Sequence, residues 1–212
     1  MIQLYDDLYQ TKVENPFSNL NTHAYFLIRK EGNVLFYNTS SSQEIKEISE
    51  KGGIVFQYLS HRHEVGDSLR VIRDKFCSKL CADQKEVPSI SKTCPVDVKF
   101  SERVIHSNNI EVIPTAGHTA GGLCFYYTSP NGLNYLFTGD LIFPRNGEWC
   151  VILISNDGAN RENLVKSLLI IRELKPDIVL SSASVGDISV VKVNEKEWQN
   201  AIDKNIKALS SN

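Results

Sequence analysis

Short apolar runs of strand length occur along the first two thirds of the chain, and polar loops separate them. The runs are rich in Val, Ile, Leu, Tyr and Phe, a composition typical of buried strands. They predict six strands, at 24–28, 34–37, 54–59, 110–113, 123–127 and 135–137. A seventh strand is predicted at 178–180. Most of the sheet structure is therefore expected from the first two thirds of the chain.

Apolar residues at helical spacing predict four helices. Ser41 is expected to cap the first helix while Glu44 reaches back to the cap, and Asp67 is expected to cap the second. The third is predicted at 160–174, and the last lies in the C-terminal segment around Trp198. Strands followed by helices, twice over, predict an α/β (α+β) fold in which sheets lie between helical layers.

The length and composition are those of one globular domain. The chain has 212 residues, of which 42% are hydrophobic, so its apolar surface can offset the entropy cost of folding. It has no tract rich in Pro, Gly or Ser that would divide it. We therefore expect residues 1–212 to form a single domain, and the sequence does not indicate an oligomeric state.

The charge balance and the N-terminal residues exclude several classes of partner. The 23 Lys and Arg residues nearly balance the 25 Asp and Glu residues, so no cationic surface is expected to collect nucleic acid. The N-terminus does not resemble a secretory signal, and no apolar run reaches the roughly 18 residues of a membrane span. Five cysteines without a C-x-x-C pair indicate reduced thiols. We expect a cytoplasmic protein that acts on a small molecule and contacts neither nucleic acid nor membrane.

Three of the five histidines lie in loops that follow predicted strands. His61 and His63 come directly after the third strand, and alternation in an extended segment would point both imidazoles to one side. His118 follows the fourth strand in a glycine-flanked turn, and Asp140 follows the sixth strand. Imidazole nitrogens and carboxylate oxygens bind divalent metals, so these four residues form a candidate metal site. The alternatives are an ordinary exposed or hydrogen-bonded histidine pair and an aspartate that hydrogen-bonds its own turn.

Four segments occur in an order that resembles one known family. They are NTHAYFLI at 21–28, SHRH at 60–63, GHTAGG at 117–122 and LFTGD at 136–140. This order is similar to that of the metallo-β-lactamase superfamily and spans nearly the whole chain. The resemblance implies a four-layer αββα sandwich with a metal site at one edge of its two sheets. It also implies a metal-dependent hydrolase by default, in a superfamily that includes oxidoreductases and non-enzymatic members.

The resemblance also assigns roles to the four candidate residues. It implies that His61, His63 and His118 bind a first ion, and that Asp140 bridges to a second ion where the site is complete. Three nitrogen ligands with an open fourth position suit a catalytic zinc, which lowers the pKa of a bound water to about 7. We therefore expect one divalent metal ion. Zinc is the first expectation, and iron or a metal-free protein are the alternatives.

The chain departs from the family pattern at the ligands of the second ion. Val65 and Gly66 stand where the resemblance implies an acid and a histidine. Ala183 most nearly takes the position at which the resemblance implies a further histidine. None of these three side chains can bind a metal. Asn38 also replaces an aspartate that would supply a supporting charge. Asp140 is left alone for the second ion, and one carboxylate does not hold zinc against water.

The charged residues beside the histidines have simpler interpretations. Glu64 directly follows His63, so in an extended segment it would point away from the site as a solvated surface acid. Asp67 is expected to cap a helix rather than bind a metal. Arg62 fits equally a contact with an anionic substrate or with a nearby carboxylate.

Three functions remain open from the sequence. The first is a single-metal hydrolase in which Asp140 orients or shares the attacking water, with an ester-, thioester- or amide-like carbonyl as its substrate. The second is a binding or regulatory protein that has kept the fold and lost catalysis, which the missing ligands favour. The third is a mononuclear iron oxidoreductase that uses two histidines and Asp140 as ligands. The identity of the bound metal separates these hypotheses.

Overall fold

The computed structural model describes residues 1–154 and 157–211. Its helices are α1 (Ser42–Glu50), α2 (Ser68–Phe76), α3 (Val87–Ile90), α4 (Arg161–Arg172) and α5 (Glu195–Ser210). Its strands are β1 (Ile2–Gln3), β2 (Leu8–Gln10), β3 (Glu14–Phe17), β4 (Leu20–Thr22), β5 (Tyr25–Leu27), β6 (Val34–Phe36), β7 (Phe56–Tyr58), β8 (Lys79–Asp83), β9 (Val98–Phe100), β10 (Val104–His106), β11 (Ile110–Pro114), β12 (Leu123–Thr128), β13 (Asn134–Gly139), β14 (Phe143–Arg145), β15 (Glu148–Cys150), β16 (Ile178–Ser181), β17 (Ala183–Ser184) and β18 (Val190–Lys192).

Two large sheets form the centre of the structure. The strand order is β1-β2-β5-β6-β7-β8-β9 in the first sheet and β10-β11-β12-β13-β16-β18 in the second. Strands β6 to β9 run parallel to one another, whereas β10 to β13 are antiparallel neighbours. A small sheet of β3, β4 and β17 joins residues from both halves of the chain, because β17 pairs with β4.

The two large sheets pack against each other through buried aromatic side chains. Phe36 of the first sheet stacks on Phe137 of the second, with ring centroids 3.8 Å apart. Phe125 lies 5.2 Å from Phe36 and 5.3 Å from Tyr58, so both sheets contribute to one aromatic core. Large aromatic side chains that are removed from water contribute strongly to stability. This core fixes the relative position of the sheets.

Helices cover the outer faces of the sheets and complete the four layers. Leu168 of α4 and Trp198 of α5 pack in one buried cluster with Leu136 of the second sheet. Leu69 of α2 packs in another cluster with Leu80 of the first sheet. The predicted αββα arrangement is therefore confirmed. Within the described part of the chain, no helix combines the length and the apolar character needed to cross a membrane.

The sequence identified the main elements but not all of their details. All seven predicted strands and all four predicted helices are present, and where bounds were predicted the ends are shifted by at most two residues. The Ser41 side chain accepts a hydrogen bond from the Glu44 backbone N–H, as predicted. The prediction that the Glu44 side chain binds back to the cap is wrong, because its carboxylate instead accepts a hydrogen bond from the backbone N–H of Lys12. Asp67 flanks α2, but its side chain makes no capping hydrogen bond. Among the described residues, eleven of the eighteen strands, including β8 and β9, and helix α3 were not predicted.

Candidate metal centre

The four predicted side chains lie together at one edge of the two sheets. One ligand atom from each of His61, His63, His118 and Asp140 lies within 4.8 Å of the others. The ring centroid of His61 is 4.8 Å from that of His63 and 4.9 Å from that of His118. Loops at the ends of β7, β11 and β13 supply these residues, so separate parts of the chain meet at one point.

The first two histidines meet by a route that differs from the predicted one. We expected an extended segment, but β7 ends at Tyr58 and residues Arg62–Glu64 form one turn of 3-10 helix. The backbone of His61 is still extended, and the turn then brings His63 back towards it, with the two rings at 85°. The convergence is therefore due to a tight turn and not to strand alternation.

Two glycines make room for this arrangement. Gly117 precedes His118 and has a φ of +145°, and a Cβ there would lie 2.4 Å from the backbone Cα of Leu164. Gly139 has a φ of +56°, and a Cβ there would lie 2.1 Å from the Ser60 hydroxyl. Glycine tolerates both the positive φ and the close approach, so these positions let the loops pack closely at the site.

The outer nitrogens of His63 and His118 are held by the loop that follows β15. The Nδ1 of His118 donates to the backbone carbonyl of Ile152 at 3.1 Å. The Nε2 of His63 donates to the carboxylate of Asp157. With those protons on the outer nitrogens, the inner Nδ1 of His63 and Nε2 of His118 present lone pairs to each other at 3.2 Å. Two lone pairs so close together repel each other, and a cation bound to both nitrogens would remove this repulsion.

The geometry of the inner atoms fits one metal ion. Two nitrogens bound tetrahedrally to zinc at about 2.0–2.1 Å lie about 3.3 Å apart. The observed distance from His63 Nδ1 to His118 Nε2 is 3.2 Å, and Asp140 Oδ2 lies 3.5 Å from His61 Nε2. Among the described residues, the buried His61 Nε2 has no hydrogen-bond partner. A buried nitrogen without a hydrogen bond lowers the stability of the folded state by about 1–3 kcal/mol, and a metal ion bound to this nitrogen would remove that cost.

The charges at the site are set by burial and by the close carboxylates. Burial would lower the pKa of His61, but Asp140 and Glu64 outweigh burial and raise that pKa to about 10. Burial would raise the pKa of Asp140, but His61 and His118 hold it below its usual range. Burial and the charge on His61 lower the pKa of His118. A proton on Nε2 of His61 thus lies beside the ionised carboxylate of Asp140, and a bound cation would replace that proton.

The match to known families agrees with this geometry. The model of the metallo-beta-lactamase superfamily matches residues 59–182, more than half of the chain and a segment that includes all four converging residues. The chain belongs to the metallo-β-lactamase superfamily. Membership and the grouping of the four side chains together support divalent-metal binding and a metal-dependent hydrolase. Their individual roles as ligands stay a prediction.

Solved structures of other superfamily proteins share the fold of this metallo-β-lactamase-superfamily chain. A metallo-beta-lactamase from Pontibacter korlensis has a TM-score of 0.73 and 15% identity, covering 100% of this chain and 98% of its own. One from Hirschia baltica has a TM-score of 0.71 and 15% identity, covering 95% of each chain. One from Cronobacter sakazakii has a TM-score of 0.67 and 13% identity, covering 95% and 97%. At such identities the likeness shows the fold alone. No curated protein matches the chain.

This superfamily member differs from our expectation at Glu64. The Glu64 side chain is only 7% exposed, so the prediction of a solvated surface acid is wrong. Its Oε2 accepts the Ser60 backbone N–H at 2.7 Å, and its Oε1 accepts the Ser60 hydroxyl. Oε1 also lies 3.4 Å from Nδ1 of His61. The physical reason is the 3-10 turn, which folds Glu64 back onto the residues before it.

Arg62 of this superfamily member binds a carboxylate inside the protein. Its guanidinium makes a two-pronged contact with Glu86, with Nη2 to Oε1 at 2.9 Å. The Glu86 side chain is fully buried and also accepts the backbone N–H of Gly121 at 2.7 Å. Burial would raise the pKa of Glu86, but Arg62 and the Gly121 N–H outweigh burial and lower it. Of our two interpretations of Arg62, the structure supports the nearby carboxylate.

A cavity of about 890 Å³ opens above the four converging side chains. Its walls include the apolar side chains of Val71, Phe143, Ile152 and Ile154. The three positions that lack the family's further ligands, namely Val65, Gly66 and Ala183, line the same cavity. They place no nitrogen, oxygen or sulfur ligand on its wall. Within residues 1–154 and 157–211, the grouping that can hold a metal therefore includes the four predicted residues and none of these three.

Sequence reasoning missed Asp157, Glu86 and the part played by Ser182. The Ser182 hydroxyl donates to Oδ1 of Asp140, which leaves Oδ2 facing the imidazoles. Asp157 contacts His63 across 94 residues of sequence, and Glu86 contacts Arg62 across 24 residues. No periodicity or local spacing marks such contacts, because they arise only from the tertiary fold.

Proposed function

We propose that this protein is a hydrolase that works with a single zinc ion held by His61, His63 and His118. The observation that carries the proposal is the buried Nε2 of His61, which has no hydrogen-bond partner among the described residues and lies 3.5 Å from Oδ2 of Asp140. It faces two further imidazole nitrogens and a carboxylate oxygen. A set of three nitrogens with one open position is typical of catalytic zinc sites. The missing ligands at Val65, Gly66 and Ala183 support one ion rather than two.

Asp140 is proposed as the catalytic residue of this site. A zinc ion in such a set supplies a nucleophilic water near neutral pH and polarises a carbonyl oxygen. Ser182 binds Oδ1 of Asp140, so Oδ2 is the oxygen that can accept a proton from the attacking water. The pKa of Asp140 lies below its usual range because His61 and His118 outweigh burial, so the carboxylate is ionised at neutral pH and Oδ2 is available as an acceptor.

The cavity supports a small-molecule substrate. Its volume of about 890 Å³ falls within the range of about 300–1,000 Å³ that is usual for small-molecule sites. Its lining includes the four converging side chains and apolar side chains such as Val71 and Ile154. We propose a substrate with an ester-, thioester- or amide-like carbonyl that is placed next to the ion.

Elemental analysis of protein purified without added metal tests the proposal. We expect about one equivalent of zinc in the wild type and its loss in His61→Ala and His118→Ala. His23→Ala is the matched control, because His23 lines the same cavity but lies outside the four residues. It should keep the zinc. Metal that persists in both His61→Ala and His118→Ala would contradict the ligand assignment.

Turnover of a panel of aryl esters, thioesters and lactams then separates the candidate functions. Zinc-dependent hydrolysis of any of them supports the hydrolase. Bound iron in place of zinc would favour the oxidoreductase. The apolar and glycine positions at Val65, Gly66 and Ala183 favour the second candidate, a binding protein that has lost catalysis. Protein with no metal and no turnover would support that candidate instead.

A further inference from the structure

We infer that Ser60 and Glu64 form a relay that fixes the proton of His61 on Nδ1, which makes Glu64 a positioning residue for the metal centre. The inference rests on the proposed function, since it concerns how His61 is presented to an ion. It assigns a role to an acid that lies outside the four converging residues.

The hydrogen bonds of Ser60 determine the direction of the relay. A serine hydroxyl has one proton to donate, and Ser60 donates it to Oε1 of Glu64. The Ser60 oxygen, 2.9 Å from Nδ1 of His61, is therefore left to accept the Nδ1 proton. A neutral imidazole with its proton on Nδ1 has its lone pair on Nε2. This is the nitrogen that has no hydrogen-bond partner among residues 1–154 and 157–211.

Glu64 is itself held in place and shielded from water. Its second oxygen accepts the Ser60 backbone N–H at 2.7 Å, so both carboxylate oxygens are fixed by one residue. The side chains of Glu64 and His61 are 7% and 4% exposed. In such a site the effective dielectric is low, and a fixed carboxylate acts strongly on the imidazole.

The two nitrogens of His61 face different carboxylates. Glu64 lies 3.4 Å from Nδ1, and Asp140 lies 3.5 Å from Nε2. Asn38 cannot supply the charge at Nδ1, because it is neutral and its oxygen lies at hydrogen-bonding distance from Gln57 and Ser68. Glu64 is therefore the acid that can support His61 from behind while Asp140 stays beside the ion.

The relay belongs to His61 alone, because the other two imidazoles have different supports. His63 uses the carboxylate of Asp157, and His118 uses the carbonyl of Ile152. Removal of a carboxylate that orients a metal-bound histidine typically weakens metal affinity by about 10–100-fold. The effect of Glu64 should therefore appear in the affinity for zinc and not only in turnover.

Zinc affinity, measured by competition with a chromophoric chelator, tests the inference. Glu64→Gln keeps the size of the side chain and removes its charge, and we expect it to bind zinc about 10–100-fold more weakly than the wild type. Asp67→Asn is the matched control. It removes one acid from the wall of the same cavity without touching His61, and it should bind zinc as the wild type does.

Two further readouts distinguish positioning from a general effect on folding. The visible absorption of the cobalt-substituted protein should shift in Glu64→Gln and stay unchanged in Asp67→Asn. The increase in melting temperature on adding zinc, taken for each variant against its own metal-free form, should shrink in Glu64→Gln. If Glu64→Gln does not fold, Ser60→Ala replaces it, because it removes the hydroxyl that links Glu64 to His61.

The outcomes are distinguishable. Equal zinc affinity and an unchanged cobalt spectrum in folded Glu64→Gln, or in folded Ser60→Ala where it stands in, would overturn the inference alone. A wild-type protein that binds no zinc or cobalt would overturn the proposed function and the inference with it. A loss of affinity in Glu64→Gln that is absent in Asp67→Asn supports the relay.

Discussion

At the scale of single residues, Asp140 has one oxygen in use and one that remains available. Ser182 binds Oδ1, and Oδ2 lies 3.5 Å from His61 Nε2 and 3.8 Å from His118 Nε2. An acid in this position can contact an ion and still exchange a proton with water at its open side. In the proposed function, Oδ1 is the oxygen that Ser182 holds and Oδ2 is the oxygen that accepts the proton.

We expect Asp140→Asn to lower kcat by about 10²–10⁴-fold, because the amide cannot accept the proton that the carboxylate accepts. The three imidazoles should still bind zinc, so metal analysis of the same sample must accompany the kinetics. Ser182→Ala keeps the carboxylate and is expected to have the smaller effect on kcat. An Asp140→Asn enzyme with wild-type kcat would exclude the proposed role.

At the scale of elements, the 3-10 turn at 62–64 determines the shape of the site. It begins directly after His61 and includes His63, and the contact of Arg62 with the buried Glu86 fixes it in place. Glu86 also binds the backbone of Gly121, so one carboxylate connects this turn to the loop that carries His118. The relative position of the imidazoles therefore depends on a residue that contacts none of them.

Replacement of Glu86 should cost stability in a way that depends on pH. Its folded-state pKa is lowered, so its contribution is present above its usual pKa of 4.5 and is lost as the pH falls through the folded value. We expect Glu86→Gln to cost about 3 kcal/mol at pH 7 and clearly less at pH 3, measured by urea unfolding. Glu111→Gln breaks a surface pair with Arg103 and should cost at most about 1 kcal/mol. A deficit of the same size at both pH values would contradict this account.

The loop before His118 should tolerate no side chain at Gly117. A Cβ there would meet the backbone of α4 at 2.4 Å, so we expect Gly117→Ala to destabilise the protein by more than about 3 kcal/mol and to reduce zinc binding. Gly132→Ala is the matched control. Gly132 also has a positive φ, +83°, but a Cβ there meets no atom within 4 Å. Gly132→Ala should lower the free energy of unfolding by about 1 kcal/mol, measured by thermal unfolding, and leave zinc binding intact. Equal effects of the two substitutions would rule out the packing argument.

At the scale of the whole molecule, local patterns predicted the layers, and together with the family resemblance they predicted the four converging residues, but not the residues that support them. The strand-end positions of His118 and Asp140 could be read from apolar runs, because periodicity reflects burial. The contacts of Asp157 and Glu86 could not, because each joins segments far apart in sequence. Glu64 was misplaced for another reason. Its partner Ser60 lies four residues earlier, a spacing that matters only once the chain turns.

Removal of the metal should destabilise the whole fold, because a ligand that binds only the native state adds to its stability. Zinc at about 100 times its Kd adds about 2.7 kcal/mol, which corresponds to roughly 5–10 °C in melting temperature for a chain of this size. We therefore expect a chelator to lower the melting temperature of the wild type and to leave that of His63→Ala unchanged. Identical melting curves with and without chelator would argue against a bound ion.

The part of the cavity wall formed by Val65, Gly66 and Ala183 has a consequence for how this protein could change through substitution. Gly66 has an ordinary backbone conformation, and a Cβ there would first meet the amide of Asn38 at 3.3 Å, the end of a movable side chain. Val65 and Ala183 already carry side chains that reach the same space. The backbone at these three positions therefore has room for other side chains, and substitutions there could add metal ligands to the cavity without a change of fold.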